Sequence, residues 1–132
     1  IIKSLVQEVD LDMFKKLEEN DILFVDSSHV SKLGSDLNHI IFNVLPILKP
    51  GVLIHFHDVF HPFELPKKWI NERNWFWNEN YILRSFLMNN ESYKIILFNS
   101  YLHFKYNDWL KENMPNCLKG AEETGSLWIQ KK

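Results

Sequence analysis

Apolar and polar positions change their spacing several times along this chain, and each change marks an element. Leu11, Phe14 and Leu17 recur at near-helical intervals behind Asp10, a good N-cap, and Asn20 stops the run, so a short amphipathic helix is predicted over residues 10–19. Asp21-Ile-Leu-Phe-Val-Asp26 is a continuous apolar run between carboxylates, which predicts a strand buried on both faces and hence a parallel sheet. Gly34-Ser35-Asp36 open a second helix whose stripe is Leu37, Ile40, Ile41, Val44, Leu45 and Leu48. Pro46 removes a donor and should kink its last turns, and Lys49-Pro50-Gly51 end it. Val52-Leu-Ile-His-Phe-His-Asp58 is a second short strand, completing a right-handed βαβ unit.

Beyond Val59 the pattern is less regular. Residues 59–77 hold prolines and aromatics and read as a loop over the carboxyl ends of the strands, with a turn of helix starting at Pro66. Asn78 to Asn90 predicts a helix with Tyr81, Ile82, Leu83, Phe86 and Leu87 on one face. Tyr93 to Tyr101 predicts a third strand, Leu102 to Met114 a helix, and Gly125 to Gln130 a last short strand. The class is α/β, in one domain.

Composition narrows the partners. Fifteen Lys plus Arg against seventeen Asp plus Glu leave a formal charge of −2, without the basic footprint that nucleic acid demands. Pro46, Lys49, Pro50 and His55 break the longest apolar stretches well short of the roughly 18–20 residues of a membrane helix. The single Cys117 excludes an internal disulfide framework and fits a reducing, cytoplasmic location. Ile1-Ile-Lys-Ser4 has no basic leader and no initiator Met, and reads as a chain cut from something longer.

Candidate chemistry gathers where the two parallel strands end, since in open α/β sheets ligands bind beyond the carboxyl ends. The first strand ends Asp26-Ser27-Ser28-His29 and the second carries His55-Phe-His57-Asp58. Period-two alternation puts His55 and His57 on one face and Phe56 and Asp58 on the other, so the polar groups converge only if the strand end bends. His29 is a candidate general base whose pKa nearby carboxylates would raise. Asp26 and Asp58 with one histidine would suit a divalent metal such as Mg²⁺, although capping of the following loops explains both carboxylates without one. His39 reads as a boundary residue, His61 and Glu64 as loop residues within reach of a substrate, and His103 as isolated. Trp69, Trp75, Phe76 and Trp77 would form an aromatic wall or simply pack. No Gly-x-Ser-x-Gly frames Ser27, Ser28 or Ser85, which disfavours a serine hydrolase.

Taken in order, Asp21-Ile-Leu-Phe-Val-Asp-Ser-Ser-His29, Gly34-Ser-Asp36, Leu45-Pro46, Lys49-Pro-Gly51, His55-Phe-His-Asp58, Pro62-Phe-Glu-Leu-Pro66 and Trp77-Asn-Glu-Asn-Tyr81 resemble a class I S-adenosylmethionine-dependent methyltransferase of the small-molecule group. The resemblance runs from about Leu11 to Ile129 and implies a partial domain over residues 1–132, the C-terminal half of a Rossmann-like sheet. Its strands would be the family's fourth to seventh, ordered 4-5-7-6, the seventh antiparallel between its neighbours, with flanking helices. The half carrying the Gly-rich cofactor turn is not represented: no Gly-x-Gly occurs, and Gly34, Gly51, Gly120 and Gly125 are all placed in turns.

By the same resemblance the cofactor is S-adenosylmethionine, bound in part by Asp26, Ser27 and Ser28. The catalytic residues are His29, Asp26 and His57, and Asp26 and Asp58 are the metal candidates; His57 stands where metal-assisted relatives carry a carboxylate. The acceptor would be a small-molecule hydroxyl or amine, and this chain alone would be inactive. Ile22–Val25 would be left as an open edge through which the chain pairs with itself. A non-catalytic α/β interaction module that has lost its cofactor half is the main alternative, and a metal-dependent hydrolase a weaker third.

Overall fold

The computed structural model of the protein describes residues 1–118 and 124–132; Gly120, placed in a turn from the sequence, lies outside them. Among the described residues four strands form one sheet in the order β1-β2-β4-β3: β1 (Ile22–Val25), β2 (Leu53–His57), β3 (Tyr93–Phe98) and β4 (Ser126–Lys131). β1 and β2 are parallel, with Val25 opposite Phe56, and β4 runs antiparallel between β2 and β3. This partial Rossmann-like α/β sheet has the expected order 4-5-7-6. Five helices accompany it among the described residues: α1 (Leu11–Phe14), α2 (Asp36–His39), α3 (Lys67–Arg73), α4 (Glu79–Leu87) and α5 (Asn99–Asn113).

Local chemistry explains the boundaries. Asp10 caps α1 by accepting from the Asp12 N–H, but the helix stops after Phe14 rather than continuing to residue 19. Ser35 caps α2 by accepting from the Asn38 N–H. The predicted single helix over residues 36–48 is three pieces, because α2 widens into a π-helical stretch over Ile40–Val44 and tightens into a 3₁₀ turn over Leu45–Ile47. Pro46 is the cause: it has no N–H for the Phe42 carbonyl and its ring would strike that carbonyl in a regular helix. The wider turn, with the Leu45 N–H donating to Ile40 O, keeps Ile40, Ile41, Val44 and Leu45 all buried. Tyr93 Oη donates to the Leu45 carbonyl across the core. Burial holds the Tyr93 phenol well above its ordinary pKa. The third strand ends three residues earlier than expected, because Asn99, Ser100 and Tyr101 already belong to α5.

The core lies on one face of the sheet. Val25, Ile54, Phe56, Leu127 and Ile129 meet the α2 segment, Val59 and Leu83 of α4 there. The opposite face is open along β1, where Ile22 is 52% and Phe24 58% exposed, whereas His55 of β2 on that face is buried. This corrects the expectation that β1 is buried on both faces; an apolar run signals a sheet strand, but only its neighbours decide what is covered. Tyr81 also leaves its predicted apolar face, for it is exposed and donates its hydroxyl to Glu64 Oε2 at 2.6 Å.

Gly51 ties the amino-terminal ends of the parallel strands to β4. Its N–H donates to the Lys131 carbonyl at 2.9 Å and its own carbonyl accepts from the Asn20 N–H at 3.1 Å. Its φ is +87°, and a Cβ there would lie 2.5 Å from Glu19 Cγ and 3.0 Å from Glu19 Cα. Gly51→Ala is therefore expected to cost about 1–3 kcal/mol, read as a lowered midpoint in chemical denaturation. An unchanged midpoint would mean that this turn is not strained by a side chain.

Candidate functional site

Parallel pairing of β1 and β2 sets their carboxyl ends side by side, so Asp26 and Asp58 reach the same edge of the sheet. His55 and His57 do share one face, as alternation requires, with Nε2 of His55 3.3 Å from Nδ1 of His57. The bend needed to bring Asp58 round is present: Asp58 adopts φ +56°, placing its carboxylate 3.6 Å from His57 Nε2. Burial raises the Asp58 pKa, with Asp26 adding to the effect and the charges of His57, His29 and Arg73 opposing it.

His29 is the centre of this edge. It also has a left-handed backbone, φ +58°, and its ring is held on three sides. Nδ1 lies 2.6 Å from Glu79 Oε2, Nε2 lies 3.5 Å from Asp26 Oδ1, and the imidazole stacks on Trp77 with centroids 4.9 Å apart. The hydrogen bond to Glu79 raises the His29 pKa above its ordinary value; burial opposes this, and the charges of Glu79, Asp58 and Asp26 add to it. Glu79 is 1% exposed, and burial pushes its carboxyl up against the pull of His29.

Both shifts have the same sign for stability. A folded-state pKa raised above the unfolded value contributes stability that is fully present below the unfolded pKa and is lost as pH rises through the folded one. For His29 that loss begins above about 6.5. The thermal midpoint is expected to fall as pH goes from about 6 to about 9, with a shallower slope in His29→Ala. A midpoint that rises over this range would contradict the arrangement.

Beside β1 runs a cleft of about 570 Å³ whose lining includes Asp26, Ser27, Ser28 and Asp36 together with Leu5, Val6 and Phe14. The Asp26 side chain is 55% exposed. Ser27 Oγ is buried without a hydrogen-bond partner among the described residues, an unfilled donor and acceptor in the cleft wall. Ser28 is differently placed: its N–H donates to Asp36 Oδ2 at 2.8 Å and its hydroxyl to Asp36 Oδ1, so both donors are in use. Burial would raise the Asp36 pKa, but these hydrogen bonds and the one from the Leu37 N–H outweigh it and hold the carboxyl low. Asp26 and Ser27 thus suit one side of a cationic, polar cofactor. A metal fits less well: among the described residues no group of three or more His, Cys, Asp or Glu is disposed to hold one.

The remaining candidates separate. His55 is sandwiched on the sheet face, stacked on Phe24 at 4.3 Å and edge-on to Trp128 at 4.7 Å, and burial lowers its pKa. His61, Glu64 and His103 line another hollow with Pro62 and Pro66, so His103 is not isolated. His39 is a boundary residue, with Nδ1 3.2 Å from the Asn43 amide. The tryptophans pack on one another, Trp69, Trp75 and Trp77 meeting at 5.0–5.6 Å with Arg73 over Trp69 and Trp75, whereas Phe76 is exposed. Glu79 is the residue that sequence reasoning did not place in the site. Its only signal was membership of the run Trp77-Asn-Glu-Asn-Tyr81, fifty positions from His29.

Residues 2–59 match a protein family described as a methyltransferase domain. The match is partial, under half of the chain, and takes in β1, the α2 segment and β2 with both polar strand ends. Over that stretch the chain is similar to class I methyltransferases, which supports a methyltransferase-like function, with S-adenosylmethionine as the usual cofactor. No curated protein and no solved structure matches the chain significantly.

Proposed function

We propose, from the methyltransferase likeness of residues 2–59, that this chain is the acceptor-side half of an S-adenosylmethionine-dependent methyltransferase. Its acceptor is a small-molecule hydroxyl or amine, and the isolated chain is inactive because nothing in it supplies a Gly-x-Gly turn. The observation that carries this reading is His29, buffered by three carboxylates at the joint end of two parallel strands and next to the Asp26–Ser27 wall of the cleft.

Asp26 and Ser27 would hold the cofactor, Asp26 by negative charge and Ser27 by its unpaired hydroxyl. When bound, that cofactor supplies a methyl group on a positively charged sulfur. His29 Nε2 would take the proton from the acceptor O–H or N–H as its oxygen or nitrogen bonds to that methyl carbon, whose bond to sulfur breaks to leave a neutral thioether. The resulting imidazolium is offset by Glu79 behind it and Asp26 beside it. In-line placement does most of the work in methyl transfer, so a base of modest strength is sufficient. His57 acts through Asp58 rather than on the acceptor. Trp77, packed against Trp69 and Trp75, covers one face of the His29 ring. The lone thiol of Cys117 fits a cytoplasmic location.

Titration calorimetry on the complete protein tests the reading. S-adenosylmethionine is expected to bind, and Asp26→Ala to weaken it by roughly tenfold or more, the scale of one charge-assisted contact. Absence of binding by the complete protein would end the proposal.

A second reading, as an interaction module, is favoured by one observation: β1 offers an unpaired outer edge with Ile22 and Phe24 exposed. We propose that the chain on its own self-associates there. Light scattering after size exclusion is expected to give a dimer that Phe24→Lys shifts towards monomer; a monomer at all concentrations would refute it.

A further inference from the structure

We infer that Trp77, Asn78 and Glu79 form a positioning element for His29, in which Glu79 fixes the imidazole as the Nδ1–H tautomer and leaves Nε2 without a proton on the side of Asp26. The inference rests on His29 being the base of the proposed reaction. Trp77, Asn78 and Glu79 lie outside the stretch that matches the methyltransferase family, and His29 lies inside it.

The three residues open α4 and reach back to the loop after β1, a separation of nearly fifty positions. Glu79 grips His29 twice, by its carboxylate on Nδ1 at 2.6 Å and by its backbone N–H on the His29 carbonyl at 3.1 Å. Asn78 grips Ser31 twice: Oδ1 accepts from the Ser31 N–H at 2.6 Å and Nδ2 donates to the Ser31 carbonyl at 3.1 Å. Trp77 covers the imidazole face. Ring plane, ring edge and backbone of the loop are therefore each restrained by consecutive residues. Such restraint has something to overcome, since a non-glycine residue at φ +58° sits in a sparsely populated region.

The tautomer follows from the inventory of donors. An ionised carboxylate only accepts, so with Glu79 ionised the 2.6 Å contact with its Oε2 places the proton on Nδ1. Nε2 then carries a lone pair when the ring is neutral, on the side nearest Asp26. A carboxylate with no task would be a poor occupant of this position. Glu79 is 1% exposed and its second oxygen, Oε1, is buried without a partner among the described residues, so its side-chain hydrogen bonding there is spent on His29.

Two-dimensional ¹⁵N–¹H spectroscopy of the histidine rings in the complete protein reads the tautomer directly. Neutral His29 is expected as Nδ1–H, the form that free imidazole disfavours. Glu79→Gln, whose amide can also donate to Nδ1, is expected to move it towards Nε2–H. Nε2–H in the unmodified protein would overturn the inference without any variant, and so would an unchanged tautomer in a folded Glu79→Gln. Calorimetry with S-adenosylmethionine on the same samples separates the two claims. Binding is expected to be unaltered by Glu79→Gln, whereas an Nδ1–H ring in a protein that binds no S-adenosylmethionine would remove the reaction and leave the positioning intact.

Discussion

His29→Ala, made in the complete protein, is expected to lower turnover in methyl transfer by about 10²–10⁴-fold, the usual contribution of a positioned general base. S-adenosylhomocysteine release with a panel of small hydroxyl and amine acceptors measures it. The affinity for S-adenosylmethionine should be nearly unchanged, because Asp26 and Ser27, not His29, line the cleft. The pH profile provides an independent check. A base must be neutral to accept a proton, so the rate rises with pH through the pKa of the His29–Glu79 pair. Hydrogen bonding to Glu79 and the charges of Asp58 and Asp26 have raised that pKa, which moves the rising limb to higher pH than a free histidine would give. The variant should lose that limb altogether. A full-rate His29→Ala with an unaltered profile would remove His29 from the chemistry and leave the Nδ1 contact with Glu79 as a purely structural bond.

Why the sequence shows one half of this site and hides the other is a matter of range. Period-two alternation within residues 53–58 puts Asp58 on the face opposite His55 and His57, so that they converge only through a bend, and the bend is there at φ +56°. Pro46 announced the disturbance in the α2 segment, since the missing N–H acts within one turn, but whether a helix answers with a kink, a 3₁₀ turn or a π-helical stretch depends on which side chains must stay buried. Glu79 is different in kind. A glutamate at the first position of a helix reads locally as favourable charge at the amino end. Only tertiary contact shows that this one is buried against an imidazole fifty positions away. Tyr81 misled in the opposite direction, because an aromatic at helical spacing counts as apolar until its hydroxyl finds an exposed carboxylate.

Phe56→Ala is expected to have the largest effect on stability. Phe56 lies in β2, between Val25 of β1 and Leu127 of β4, and has no solvent exposure. Truncating a buried phenylalanine costs about 3–5 kcal/mol, a transfer contribution plus the cavity left behind. Neighbours held in three hydrogen-bonded strands have little freedom to close that cavity, which favours the upper end of the range. Against the roughly 5–15 kcal/mol that holds a typical domain folded, this leaves the variant close to unfolding, and the thermal midpoint should fall by about 10 °C or more. The effect on function is predicted to be indirect but specific. Phe56 anchors the strand from the core side, while His55, His57 and the bent Asp58 are carried by the same five-residue segment and its end. Loss of the anchor should therefore loosen Asp58 relative to His29 before the sheet as a whole unfolds. In folded Phe56→Ala, the ring signals of His29 and His57 should broaden, while those of His61, which packs on Phe98 and Tyr101, stay sharp. Equal broadening at all three would show that the sheet end does not behave as a separate unit.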